Sequence, residues 1–228
     1  MRTSTTTTAC LLVLLAATGS RPAAAAEQAG AAATGDPVTT GWILERLARP
    51  APMRTNFVEL RESRLLKHPL RLSGEYRRPE DDVLVREVRA PYAETTTIRA
   101  GAATIARDGK SPRTVPLSRA PELAGLQASF GALLSGDREQ LESHYTASSD
   151  GTRQDWVLTL VPRQAALAGK VRDITLHGRG AELRCIETRS PGEADPQRTL
   201  LASAATAAAE IADASRFVAI CHGADAAD

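Results

Sequence analysis

Residues 70–77 read LRLSGEYR, and their pattern decides the fold. Apolar and polar side chains alternate along the stretch, which places Leu70, Leu72 and Tyr76 on one face of an extended strand. The other face carries only polar side chains, namely those of Arg71, Ser73, Glu75 and Arg77. This pattern predicts a strand of an antiparallel sheet with one buried face and one solvated face.

Further strands are predicted on both sides of this one along the chain. They are short, rich in β-branched residues, and bounded by Gly, Pro and turn signals such as Asp108-Gly109. The predicted strands comprise residues 57–66, 83–88, 94–99, 102–106, 156–161, 171–177, 181–188 and 199–201. Because they follow one another directly, they favour an antiparallel meander.

Three amphipathic helices are also predicted, one before the strands and two between them. The first covers residues 42–47 and ends before Pro50. The second ends at Gly136, and its apolar face is formed by Leu123, Leu126, Phe130, Leu133 and Leu134. Asp137 and Gln140 form a capping-box pattern that starts the third helix, whose predicted apolar side is Leu141 and Tyr145. The sequence therefore predicts an α+β fold in which helices cover one face of an antiparallel sheet.

The two ends of the chain have their own composition. Arg2, the short apolar stretch 10–18 and the small residues 23–26 predict a secretory signal peptide over residues 1–26. A membrane anchor is the alternative, but the apolar stretch is short for a bilayer span. Residues 27–40 are predicted to be a flexible linker, and residues 202–228 an Ala-rich tail with an apolar patch at 217–220.

Two cysteines remain after the predicted cleavage, Cys185 and Cys221. In an oxidising compartment they could form a disulfide. The other interpretation is a buried thiol at Cys185, because Leu183 and Ile186 surround it. Their spacing is not that of a zinc site.

The composition and the local motifs exclude or disfavour several function classes. The 28 basic residues nearly balance 27 acidic ones, so no basic field for nucleic acid exists, and 43% hydrophobic residues are too many for a disordered chain. The four histidines have no metal-binding spacing, and no GxSxG, GxGxxG or Walker motif occurs. The sequence predicts no enzyme, no cofactor and no metal. The patterning alone leaves open whether the covered face is a packed core or an aliphatic pocket.

The stretch NFVELRESRLLKHPLRLSGEYRRPEDDVLVREVRAPYAETTTIRAGAATI, residues 56–105, resembles the N-terminal half of the LolA-like periplasmic lipoprotein carriers. The pieces that carry the resemblance are Phe57 with Glu59, Gly74 with Tyr76, the corner Arg77-Arg78-Pro79, and the strand 83–88. The paired helices at 121–145 resemble the family's lid helices, and 156–163 its later hairpin. The resemblance covers residues 41–201, the predicted carrier domain.

The resemblance implies an open, half-closed antiparallel β-barrel with helices covering its concave face. Such a protein shields the acyl chains of a lipoprotein, or of a related lipid-like cargo, in a hydrophobic cavity. It resides in the periplasm and passes cargo from an inner-membrane release complex to an outer-membrane acceptor, without catalysis or cofactor. The strands are poorer in aromatic residues than those of the best-known carriers of the family. A lipid-like cargo other than a lipoprotein is therefore also possible.

The strand and helix faces together predict the lining of this cavity: Phe57, Leu72, Tyr76, Val83, Val85, Leu126, Phe130 and Leu133. The resemblance also implies an arginine on the barrel wall that bonds to a lid helix and governs opening. Arg78 is the matching position, and Arg77 is the alternative. Two other functions stay open: a non-carrier envelope protein that uses the sheet for structure or docking, and a secreted hydrolase with a site assembled from distant residues.

Overall fold

The computed structural model describes residues 37–61, 69–119, 131–193 and 195–224. Within them, eleven strands form one antiparallel sheet in the order β6-β5-β4-β3-β2-β1-β11-β10-β9-β8-β7. The chain meanders outward from β1 to β6, crosses to the far edge at β7, and returns to β11 beside β1. The sheet is therefore open between β6 and β7, which confirms the predicted fold class.

The strands are β1 (Met53–Arg61), β2 (Leu70–Arg78), β3 (Leu84–Ala90), β4 (Glu94–Arg99), β5 (Ala102–Arg107), β6 (Lys110–Pro116), β7 (Tyr145–Gly151), β8 (Asp155–Pro162), β9 (Asp173–Arg179), β10 (Glu182–Arg189) and β11 (Gln197–Leu201). The helices are α1 (Thr40–Leu47), α2 (the helical residues 131–135), α3 (Arg138–His144), α4 (Ala165–Ala168), α5 (Ala202–Ala207) and α6 (Ala214–Cys221), with a 3-10 turn at Leu117–Arg119. None of these helices is long and apolar enough to cross a membrane.

One face of the sheet, called the inner face here, carries the main core. Helices α1, α2 and α3 cover this face with Ile43, Leu133 and Leu141, all of which are buried. Opposite them lie Phe57, Leu72, Trp156, Leu158 and Leu160 from the strands. One cavity is lined both by β4 and β5 and by β7 and β9, so the two wings of the sheet curl toward each other. The inner face is thus the concave side of a half-barrel.

The opposite, outer face is covered by the C-terminal segment. Helices α5 and α6 pack Ala204 and Phe217 against Val58 and Leu200 in a second buried cluster. The Arg71 guanidinium donates a hydrogen bond from Nη2 to the carbonyl of Ala208, 3.1 Å away, at the end of α5. Residues 202–224 are therefore folded onto the domain, and the Ala-rich composition reflects close packing of helices on a sheet rather than an unstructured tail.

Cys185 and Cys221 form a disulfide. It joins β10 to the last residue of α6, and both residues are fully buried in the outer cluster. Of the two interpretations left open by the sequence, the disulfide is the correct one. Its physical basis is that α6 folds back across β10, which the sequence separation of 36 residues did not reveal.

The third predicted helix is shorter than expected. Its start is as predicted, because the side chain of Asp137 accepts a hydrogen bond from the Gln140 N–H at 2.8 Å. It ends at His144, and Tyr145 has the extended backbone that begins β7. The assignment of Tyr145 to the helix was wrong. A spacing of four residues from Leu141 places two side chains on the same face of either a helix or a strand, so this spacing does not distinguish the two elements.

We expect Gly178→Ala to destabilise the fold. A Cβ at this position in β9 would lie 2.0 Å from the buried ring of Trp156, whose Nε1 donates to the carbonyl of Gly180 at 3.0 Å. Overpacking of this kind costs about 1–3 kcal/mol. Urea unfolding of both variants measures the loss, with Gly41→Ala as the control, because no atom lies within 4 Å of a Cβ there. Equal stabilities of the two variants would contradict the packing described.

Candidate functional site

An apolar cavity of about 270 Å³ lies between the helices of the inner face and the centre of the sheet. We call it the inner cavity. Its apolar lining comprises Leu47 of α1, Leu134 of α2, and Met53, Tyr76, Leu84, Leu183 and Leu201 of the strands. Because the lining comes from both layers, separation of the helices from the sheet would enlarge this space.

A larger cavity of about 810 Å³ opens at the end of β2, and we call it the mouth cavity. Leu84 and Leu134 line both cavities, and Val83 and Leu117 add apolar surface to the mouth. Its rim is charged, with Arg49, Arg78, Asp81 and Asp82. An apolar space with a charged entrance suits a ligand that has a long apolar part and a polar end.

Arg78 lies where the two cavities meet and lines both of them. Only 7% of the residue is exposed. Its Nη1 donates to the carbonyl of Arg49 at 2.8 Å, just after the end of α1. Its Nη2 forms an ion pair with Asp81 Oδ1 at 2.8 Å, and the Asp81 carbonyl accepts from Nε and Nη2. The guanidinium thus connects the end of β2 to the residues that follow the C-terminus of α1.

A second hydrogen bond extends this connection to α2. The backbone N–H of Arg49 donates to the carbonyl of Leu134 at 2.9 Å. Arg78, Arg49 and Leu134 therefore form a continuous path from the wall to both helices, which we call the Arg78 bridge. Arg77, the alternative position, is 44% exposed at its side chain and pairs with Glu87 at 2.7 Å instead.

A third cavity, of about 370 Å³, lies farther along the inner face and is more polar than the inner cavity. We call it the polar cavity. Its centre is the buried carboxylate of Glu59, which accepts from Arg86 and Gln197, each at 2.9 Å, and from Arg61. The Arg86 guanidinium also lies 4.8 Å from the centroid of the Phe57 ring. This ion-paired floor gives the otherwise apolar inner face a polar end.

Tyr76 separates the inner cavity from the polar cavity and lines both. Burial raises the pKa of the Tyr76 hydroxyl, although the neighbouring Arg86 opposes that rise. The hydroxyl is therefore neutral at physiological pH. Its ring packs on Phe57 with a centroid separation of 4.9 Å.

The structure brings together only part of the predicted cavity lining. Phe57, Leu72, Tyr76 and Leu133 share the inner-face core, but of these only Tyr76 lines a cavity described here; the other three are packed. Val83 lines the mouth cavity. Leu126 and Phe130 lie outside the described residues.

Val85 faces the other side of the sheet from the cavities. In β3, Leu84 and Val88 belong to the inner core, so alternation turns Val85 outward with Glu87. The correction is a shift of one residue: Leu84, rather than Val85, lines the inner cavity. The inner cavity is also lined by Leu134, Leu183 and Leu201, which were not predicted as lining residues. Only Leu134 had a signal in the sequence, because it belongs to the apolar face of the second predicted helix.

An open, curved antiparallel sheet whose concave face is covered by helices, with cavities between the layers, is the fold that the sequence resemblance implied. The chain belongs to the family described as outer membrane lipoprotein carrier protein LolA-like, whose model matches residues 30–224. This match confirms the resemblance found in the sequence, and it includes the C-terminal helices. Membership of this family indicates a lipid- or lipoprotein-binding fold and suggests export.

The crystal structure of a LolA superfamily protein from Nitrosomonas europaea is similar to this chain, with a TM-score of 0.39 and 13% sequence identity. The similarity covers 72% of this chain and 91% of that one. No curated protein matches the chain.

Proposed function

We propose that the protein is a periplasmic carrier that shields the acyl chains of a lipoprotein, or of a related lipid-like cargo, and delivers them toward the outer membrane. The observation that carries the proposal is the pair of cavities that meet at Arg78 between the helices and the sheet. Removing each methylene of an acyl chain from water is worth about 0.8 kcal/mol, so each methylene that enters an aliphatic space of this kind favours binding.

The order of the three cavities supports a chain with a polar end. The inner cavity has a mainly apolar surface, although Arg78 and Glu182 also border it, and the mouth cavity and the polar cavity on either side each contain further charged side chains. We infer that acyl chains occupy the inner cavity and reach the mouth past Arg78. The family resemblance supports an inner-membrane release complex as the donor and an outer-membrane protein as the acceptor.

Titration with a fluorescent fatty acid tests the proposal. We expect saturable binding, with the emission shifted toward that of an apolar environment, and displacement by unlabelled fatty acid. Absence of saturable binding to folded protein would contradict the carrier proposal. It would favour the docking alternative, which the closely packed Phe57, Leu72 and Leu133 on the inner face support.

Export is a separate expectation, and the position of cleavage rests on residues 1–26. We expect mature protein from a periplasmic fraction to begin near Glu27. N-terminal sequencing checks this directly. Protein that retains Met1 and fractionates with the cytosol would contradict both the cleavage and the location.

A further inference from the structure

Two histidines and a glutamate meet on the outer face, on the opposite side of the sheet from the cavities. His177 lies in β9, Glu187 in β10, and His222 caps the C-terminal end of α6. They are far apart in sequence and match no metal motif, which is why the sequence did not reveal them. The pairing of β9 with β10 and the fold-back of α6 bring them together.

The donor atoms of these residues lie close to one another. Nε2 of His177 lies 3.4 Å from Glu187 Oε2, and Nε2 of His222 lies 3.1 Å from Glu187 Oε1. All the donor atoms of the group lie within 4.8 Å of one another. In a tetrahedral zinc site with bonds of 2.0–2.1 Å, ligand atoms are about 3.3 Å apart, so little movement is needed to admit an ion.

The group is held in place by its surroundings. The disulfide between Cys185 and Cys221 fixes the end of α6 beside β10, one residue from His222. Arg179 donates from Nη2 to the Gly223 carbonyl at 3.0 Å, which anchors the turn after α6. Arg198 donates from Nε to Glu187 Oε1 at 2.6 Å and orients the carboxylate. Groups that orient metal ligands in this way strengthen metal binding.

The exposure of the group also favours an added ion. The side chain of His222 is 47% exposed, whereas those of His177 and Glu187 are 17% and 8% exposed, so the group is sheltered but open on one side. Glu187 supplies the carboxylate of the group, and its ion pair with Arg198 at 2.6 Å neutralises part of that charge. The sulfur of Cys221 is close by but is engaged in the disulfide.

We propose that His177, Glu187 and His222 form a binding site for a divalent transition metal such as Zn²⁺, with water completing the coordination. Two imidazole nitrogens and one carboxylate oxygen suit Zn²⁺ or Cu²⁺ and do not suit Ca²⁺ or Mg²⁺. The bound ion links β9 and β10 to the end of α6, beside the disulfide. The site does not depend on the carrier function proposed above.

Titration of Zn²⁺ into the oxidised protein, carrying no histidine tag, tests this site by calorimetry. We expect one ion per chain, and we expect His177→Ala and His222→Ala each to weaken binding at least about tenfold. Glu187→Gln, which keeps the shape of the side chain, is expected to weaken it as well. His144→Ala is the matched control, because this histidine lies at the end of α3, outside the group, and its loss should leave the affinity unchanged.

Thermal unfolding provides a second readout. Saturating Zn²⁺ should raise the melting temperature of the wild type and of His144→Ala, because an ion that binds only the folded state stabilises it, and should not raise that of His222→Ala. Without metal, the exposed His222→Ala variant should melt close to the wild type, which separates loss of binding from loss of folding. No saturable binding by the wild type, or equal binding by all variants, would overturn the proposal and leave a hydrogen-bonded cluster only.

Discussion

Arg78→Leu is expected to bind lipid but to transfer it to acceptor vesicles about tenfold to hundredfold more slowly than the wild type. The side chain connects β2 to the Arg49 carbonyl, and through Arg49 to α2. We expect these contacts to stabilise a closed state in which the helices lie on the sheet. A sheltered hydrogen bond from a charged group contributes about 1.5–3 kcal/mol, which corresponds to the stated range in an equilibrium constant.

The direction of this effect follows from competition between closure and cargo. We propose that, when the Arg78 bridge is present, closing the empty cavity is favourable and helps to expel the acyl chain. When the bridge is absent, the closed, empty state is less stable relative to the open, loaded state, so cargo is retained. Release is the step affected, and uptake is maintained.

Transfer of a fluorescent fatty acid from purified protein to vesicles measures this rate. Arg77→Leu is the matched control, because it removes the same charge one residue away. Arg77 also borders the inner cavity, but its guanidinium pairs with Glu87 and makes no part of the Arg78 bridge. Normal transfer by Arg78→Leu would contradict the role of the bridge. Equal slowing in both variants would assign the effect to net charge instead.

Leu183→Asn is expected to weaken binding of the fluorescent fatty acid by about tenfold. Leu183 lines the inner cavity, and asparagine has nearly its shape, so the change introduces an amide without adding bulk. An amide that loses water without gaining a hydrogen bond costs about 1–3 kcal/mol when an apolar chain covers it. We expect the amide to be hydrated in the empty cavity of the free protein, so the loss should appear mainly in the bound state.

Val161→Asn is the control for this substitution. Val161 is a large apolar residue of β8 that is 45% exposed, so the same kind of change is made outside the cavities. We expect its affinity to equal that of the wild type. Unchanged affinity in a folded Leu183→Asn variant would remove the inner cavity as the lipid site.

The strand pattern could be predicted where one face is apolar and the other polar. Residues 70–77 showed this alternation, and β2 covers Leu70–Arg78 in the structure. Strand β6 was not predicted, because its sequence KSPRTVP lies at the sheet edge with almost every residue exposed and thus carries no apolar alternation. Strand β7 was missed for a related reason, since TASSDG after Tyr145 resembles a polar loop.

The candidate site was predictable only in part, because it depends on contacts between distant segments. The position of Arg78 could be inferred from the corner after β2, but its acceptor, the Arg49 carbonyl, depends on how the α1 exit meets the sheet. The cavity lining was displaced by one residue in β3, where both Leu84 and Val85 are apolar and buried, so composition does not distinguish the two faces. The disulfide and the histidine cluster required the path of α6 across the outer face.

Native mass spectrometry of protein purified from the periplasm tests the central claim most directly. We expect wild-type protein to include a population whose mass exceeds that of the mature chain by one or more lipid molecules. We also expect a smaller bound fraction in Leu183→Asn than in Val161→Asn. Protein of the bare chain mass in all three samples, with no lipid acquired after incubation with fatty acid, would contradict the claim that this half-barrel carries acyl chains.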